Sequence, residues 1–290
     1  MNAAKIKLEK LIVETAQSLE NSDIHFGHGT DNALDEAHWL VLHALGLPVD
    51  QAVEDYDLLV SGNQCESVKT IVRERIQTKK PLAYLLNSAW FMGLEFFVDE
   101  RVLVPRSPIA ELIDTDFFGL LESDSSHRIL DMCTGSGCIA IACAYAYANA
   151  VIVGSDLSTD ALDVAAINKK KHQLDSQLEL VQSDLFDAID GKFDLIVSNP
   201  PYVDAQDMAT LNDEFTSEPQ LGLDGGEDGL VLVDRMMAEA REYLTDDGLL
   251  VVEVGNSAPA MEKKYAHLPL TWLEFANGGH GVFAIRARDL

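Results

Sequence analysis

The chain has 290 residues, 47% hydrophobic and 24% charged, which is enough for one large domain or a catalytic domain with a smaller companion. With no basic, apolar leader and no run of 18 apolar residues, secretion and membrane spanning are not expected, and a cytoplasmic location is. The formal net charge is −27, with 8 Lys/Arg against 13 Asp/Glu before residue 89 and 13 against 35 from there on, a balance that repels free nucleic acid and either attracts a basic polypeptide or serves only to keep the protein soluble.

Residues 1–21 have the apolar spacing of an amphipathic helix, and a polar loop from His25 to Gly29 follows. Thr30 or Asp31 is placed to cap a second helix that runs to about Leu45, closed by Gly46 and Pro48. A third helix is expected over 64–80, so residues 1–88 read as a small helical domain. His25 and His28, flanking Gly27, have no carboxylate cluster at ligand spacing and are read as loop or capping residues. From Ala89 to Val104 the pattern becomes that of a β-hairpin linker, Pro105-Arg106-Ser107-Pro108 breaks the chain, and Ile109 to Leu121 reads as a helix. The four cysteines, Cys65, Cys133, Cys138 and Cys143, form no CxxC pair, so they are expected to be reduced and buried, with no metal site.

A strand over His127 to Met132, with Asp131 near its end, runs into Cys133-Thr134-Gly135-Ser136-Gly137-Cys138, and an alanine-rich helix follows from Ile139 to Ala148. Strand, glycine loop and helix make a nucleotide-binding opening, because glycine lets backbone N–H groups approach a ligand at a helix N-terminus. A GxG is weak by itself, since NAD-binding folds share the geometry. Two more strands lead to acids, Val151 to Asp156 and Leu178 to Val181, the second running on to Ser183-Asp184-Leu185. Asp156 is spaced to accept from two ribose hydroxyls, and Asp184 to accept from an adenine amino group. The apolar run Phe193 to Ser198 then delivers Asn199-Pro200-Pro201-Tyr202 to the carboxyl end of a buried parallel strand, where α/β folds carry their chemistry. The prolines stiffen the loop and leave carbonyl acceptors, Asn199 adds a side-chain carbonyl, and Tyr202 adds a flat face. Such a set suits a planar NH2 group. Asp131, Asp156, Asp184 and Asn199 could each be a helix cap, but four in succession, with a GSG after the first and PPY after the last, exceed what capping explains.

Residues 203–228 hold eight acids and no Lys or Arg, and are expected to attract a basic segment of the substrate. A helix at 229–243 and strands at 249–254, 271–275 and 281–285 follow, the last two joined by Asn277-Gly278-Gly279 and expected to pair antiparallel.

These motifs resemble the class I S-adenosylmethionine-dependent methyltransferases, and within them the protein-(glutamine-N5) methyltransferases. The resemblance spans nearly the whole chain and is closest to the branch acting on large-subunit ribosomal protein three. It is carried by GHGTDN from Gly27, VLVPRSPI from Val102, LDMCTGSGCIAIA from Leu130, NPPYVDA from Asn199, EVGNS from Glu253, WLEF from Trp272 and NGG from Asn277. The sister branch, which acts on release factors, has a PRPDTE-like segment where this chain reads PRSPIAE. The resemblance implies an α/β, Rossmann-like seven-stranded mixed sheet with an antiparallel final strand. It divides the chain into a substrate-recognition domain at 1–88, a hairpin at 89–104 and a methyltransferase domain at 105–290. It implies S-adenosylmethionine as cofactor, with S-adenosylhomocysteine as product, held by Asp131, Thr134, Gly135, Ser136, Gly137, Asp156, Asp184, Leu185 and Asn199. Asn199, Pro200, Pro201 and Tyr202 are the implied catalytic loop, with a basic ribosomal protein as partner. The nearest alternative, an amino-methyltransferase of adenine or guanine in nucleic acid, uses the same planar-amine logic and is opposed by the acidity.

Overall fold

The computed structural model describes residues 5–49, 55–121, 126–211 and 213–290. A two-residue strand, β1 (Ile6–Lys7), replaces the opening of the expected first helix and pairs antiparallel with β2 (Leu59–Val60). Helix α1 (Leu8–Glu20) buries Leu8, Leu11, Ile12 and Leu19. Helix α2 (Ala33–Leu45) is capped by neither Thr30 nor Asp31. Asn32 is the last extended residue before the helix, and its Oδ1 accepts from the N–H groups of Leu34 and Asp35 at 3.1 and 3.0 Å. Helix α3 (Gly62–Thr78) begins two residues before the expected start because Ser61 and Gln64 close a capping box. Helix α4 (Leu82–Leu86) leads to the hairpin β3 (Ala89–Phe91) and β4 (Leu94–Phe96).

That hairpin is shorter than the 89–104 pattern. Asn168 captures the backbone of Phe97, accepting from its N–H at 2.7 Å and donating to its carbonyl at 2.9 Å, so the ladder cannot extend. Val98, Val102 and Val104 are buried as loop residues instead. Helix α5 (Ile109–Asp114) also ends early. In the next turn, α6 (Asp116–Gly119), Asp116, Phe117 and Phe118 have φ of 50°, 51° and 56°, a left-handed turn that buries Phe117.

The remaining chain alternates strand and helix: β5 (Arg128–Met132), α7 (Cys138–Ala146), β6 (Val151–Asp156), α8 (Thr159–Lys171), β7 (Leu178–Gln182), β8 (Phe193–Ser198), α9 (Ala205–Met208), α10 (Val231–Tyr243), β9 (Leu244–Glu253), α11 (Ala258–Lys264), β10 (Thr271–Leu273) and β11 (Val282–Arg286). The seven-stranded sheet runs β10-β11-β9-β8-β5-β6-β7, with β11 antiparallel to both its neighbours and β9-β8-β5-β6-β7 parallel. Side chains alternate between two cores, as the strand period requires. Ile129, Leu195, Val197, Leu249 and Val251 join the core that runs without a break into α1–α4 and the hairpin. Leu130, Ile196, Leu250 and Val252 pack toward α10 and α11 on the other face, and an irregularity between Phe193 and Leu195 turns Phe193 to that face as well. Apolar residues on both faces explain why these strands read as continuous hydrophobic runs.

Candidate active site

From β5 the chain winds outward through β6 to β7, then crosses back to β8 on the other side of β5. The gap between β5 and β8 is therefore the switch point of the sheet, where a ligand crevice opens beyond the strand ends. Met132 lies opposite Ser198, whose Oγ donates to the Met132 carbonyl at 2.7 Å, so the loops after the two strands stand side by side. They border a cleft of about 890 Å³.

The glycine loop leaves β5 through left-handed backbone at Cys133, Gly135 and Gly137 (φ of 59°, 54° and 80°). At Gly137 a side chain is disfavoured twice, because a Cβ would also stand 3.3 Å from the Ala165 Cβ on α8, a contact tighter than ordinary packing. Thr134, Gly135 and Ser136 line the cleft, and a Cβ on Gly135 would meet no atom within 4 Å. Asp131 and Gly137 lie behind this surface. Asp131 is fully buried; its Oδ2 accepts from Thr134 Oγ1 at 2.5 Å and from the Ala140 N–H at 3.0 Å, so it braces the loop from within. Burial pushes its carboxyl up to about 7.

Asp156 and Asp184 do face the cleft. Asp156 accepts from the N–H of Gly135 and of Ser158, both at 2.9 Å, and burial raises its carboxyl despite these bonds. Asp184 is shared: its Oδ1 takes Arg235 Nη1 at 2.8 Å. Leu157 and Leu185 add apolar wall between these acids.

All four residues from Asn199 to Tyr202 line the cleft. The Asn199 side chain makes no hydrogen bond to any described residue, and none donates to the Pro200 carbonyl. Tyr202 is the opposite case. Its hydroxyl donates to Glu253 Oε1 at 3.0 Å, and its carbonyl accepts from Ser257 Oγ at 2.9 Å. Its ring lies against Gly255, where an added Cβ would come within 2.5 Å of Cε2. Glu253 also accepts from Ser107 Oγ at 2.5 Å, and burial raises its carboxyl.

Sequence reasoning missed part of this wall. The segment Glu100 to Pro108 lines the cleft, as do Phe215, Glu253, Asn256 and His280. Glu253 ends a parallel strand as Asp156 does, so the strand-end rule extended to β9 finds it. Nothing in the local pattern marks Phe215. The eight acids of 203–228 are not one set, which corrects the expectation for that loop. Glu214 and Glu218 are buried and paired inward, leaving Asp204, Asp207, Asp224, Glu227 and Asp228 at least partly open to solvent.

Residues 117–227 match the family described as methyltransferase small domain. The chain is 47% identical over 274 residues to the ribosomal protein uL3 glutamine methyltransferase of Francisella tularensis, covering 93% of this chain and 86% of that one. It is 42% identical over 268 residues to the enzyme of the same description from Neisseria meningitidis serogroup A, covering 92% and 88%. The chain belongs to the ribosomal protein uL3 glutamine methyltransferase family. Solved structures agree on the fold. A methyltransferase from Pyrococcus furiosus superposes with a TM-score of 0.50 at 17% identity over 75% of this chain and 98% of that one. The hMettl16 catalytic domain gives 0.52 at 15% identity over 82% and 87%. The fold is the α/β class I methyltransferase fold. Among the described residues no helix is long and apolar enough to cross a membrane.

Proposed function

We propose that this chain transfers a methyl group from S-adenosylmethionine to the side-chain amide nitrogen of a glutamine in ribosomal protein uL3, the protein in the names of its relatives. The observation that carries the reading is the Asn199 carboxamide, which has no hydrogen-bond partner among the described residues and lines the cleft beside the Pro200 carbonyl. The donor set fits the cofactor. Asp156 offers acceptors to a ribose diol, the second oxygen of Asp184 one to an adenine amino group, and Leu157 and Leu185 apolar contact for the base. Thr134, Gly135 and Ser136 leave open backbone beside it, while Asp131 and Gly137 act as positioning residues that shape the loop. When bound, S-adenosylmethionine supplies an electrophilic methyl group.

An amide nitrogen is a poor nucleophile because its lone pair is delocalised into the carbonyl. Asn199 Oδ1 and the Pro200 carbonyl accept from its two N–H bonds, hold it in one orientation and take up positive charge as that develops. Pro200 and Pro201 fix the loop so that these acceptors need no reorganisation. Tyr202, its hydroxyl tied to Glu253, fences the amide plane. Positioning of this kind supplies up to about 7–11 kcal/mol of barrier reduction. In this reading residues 1–88 are the substrate-recognition domain, 89–104 the connector and 105–290 the methyltransferase domain, acting in the cytoplasm, where its ribosomal protein is made.

Methyl-labelled S-adenosylmethionine with under-methylated uL3 in one tube and nucleic acid in another tests the reading. Label on a uL3 glutamine is the expected result. Label on nucleic acid alone overturns the substrate and keeps the amine site.

A further inference from the structure

A run of charge, buried at Glu36, Arg75, Glu214 and Glu218, lies between the N-terminal helices and the cleft, and the reaction above does not use it. Arg75 on α3 is 1% exposed; its Nε donates to Glu36 Oε1 on α2 at 2.8 Å and its Nη2 to the His25 carbonyl at 2.8 Å. Its Nη1 lies 3.7 Å from Glu214 Oε1, which also accepts from the His25 N–H at 2.5 Å. Four residues on, Glu218 accepts from the Val104 N–H at 3.1 Å and from both terminal nitrogens of Arg106 at 2.8 Å, with His28 Nε2 at 3.7 Å. Between the two carboxylates stands Phe215, which lines the cleft. The His28 ring meets it edge-on at 4.6 Å between centroids, and the Arg106 guanidinium sits 5.3 Å from its centre.

The segment that carries Phe215 is built on two short 3-10 turns, Asp213–Ser217 and Gln220–Gly222; its backbone bonds are local, such as the Glu218 N–H to the Phe215 carbonyl, until Val203 donates to the Leu223 carbonyl further on. Glu36, Arg75, Glu214 and Glu218 are buried and tolerate little displacement from their partners, because water cannot replace a lost contact there, whereas Arg106 reaches solvent at the cleft. Phe215 also lies on the acceptor side of the cleft. Arg106 precedes Ser107, Ser107 donates to Glu253, and Glu253 holds Tyr202, whereas Asp156 ends β6 and Asp184 follows β7, on the far side of β5.

We propose that Glu214 and Glu218 are positioning residues through which the N-terminal helices and the 104–106 segment hold Phe215 as the acceptor-side wall of the cleft. The inference rests on the reading that this cleft takes a protein glutamine. It gives the N-terminal helices a part in building the site as well as in recognising the substrate.

The test uses the full chain with Glu214→Gln, Glu218→Gln and Phe215→Leu. The two Gln variants should speed amide hydrogen exchange over residues 214–223 at least about tenfold, leave β5 and β8 protected, and raise KM for uL3 about tenfold (1.4 kcal/mol) with the cofactor Kd within about twofold. Phe215→Leu should raise KM similarly with exchange unchanged. A pair that merely adds stability would lower Tm and leave the ratio of KM to cofactor Kd alone. Unchanged exchange over 214–223 in Glu214→Gln overturns the proposal, as does a KM that fails to rise in Phe215→Leu; the latter covers the case in which Glu218→Gln does not fold. If the wild-type chain leaves uL3 unlabelled, the functional reading fails, and the exchange arm still decides whether the N-terminal helices hold this loop.

Discussion

Asn199 and Tyr202 stand three residues apart and are held in opposite ways. Tyr202 is bonded at its hydroxyl and its carbonyl and wedged against Gly255, while the Asn199 side chain has no hydrogen-bond partner among the described residues. A polar side chain kept free at a cleft wall is available to a substrate, and removing it should cost the transition state more than the ground state. Asn199→Ala is expected to lower kcat by roughly 10²–10³-fold, the scale of one preorganised hydrogen-bonding group, with cofactor Kd measured by calorimetry nearly unchanged. A kcat within a few-fold of wild type removes Asn199 from its role. At this scale the sequence was informative where the motif itself carries the group: Asn199, Asp156 and Gly135 all line the cleft. It was less so for Asp131, because a strand-end acid looks the same whether its carboxyl faces ligand or turns back to its own helix. Only the bonds to Thr134 and Ala140 separate the two.

Elements show where local pattern stops being enough. The glycine-loop helix, the β–α units and the antiparallel pairing of β10 with β11 follow from periodicity and turn residues, which are properties of neighbours in sequence. The hairpin ends early because Asn168, 71 residues away, takes the Phe97 backbone, and no reading of 89–104 contains that fact. The loop after Tyr202 is similar: acidity alone suggests a solvated, attracting surface, but Arg75 and Arg106 draw Glu214 and Glu218 inward. This loop carries a pH prediction. Burial by itself would raise the Glu218 carboxyl, but His28 and Arg106 outweigh it and hold the group at about 2, below its ordinary 4.5. A carboxyl depressed on folding contributes stability above pH 4.5 and loses it as pH falls through about 2. At neutral pH Glu218→Gln should cost about 3 kcal/mol, the low end for breaking a buried pair. The gap in Tm between wild type and Glu218→Gln should close as pH falls from 4.5 to 2, since a protonated Glu218 differs little from Gln. A gap that stays constant over that range places the stabilisation elsewhere than in the charge.

The whole molecule carries a net charge of −27, far more than any single contact uses. Long-range attraction of a basic protein is screened over about 8 Å at physiological salt. Raising ionic strength from about 50 to about 300 mM is therefore expected to increase KM for uL3 several-fold with kcat little changed, measured in initial-rate assays. A nucleic acid acceptor, repelled at low salt, would respond with the opposite sign. The sequence by itself determined the charge, the order of the strands in the main sheet, the glycine loop and the Asn199–Tyr202 loop, since these reside in composition and in residues close along the chain. The tertiary structure decided which of those groups meet. Met132 opposite Ser198 sets the two loops side by side, Glu253 joins Tyr202 to Ser107, and the Arg75 and Arg106 contacts seat Phe215 in the wall. Each joins residues more than fifty positions apart, and such pairings are fixed by sheet register and by the need to neutralise buried charge, which local sequence does not encode.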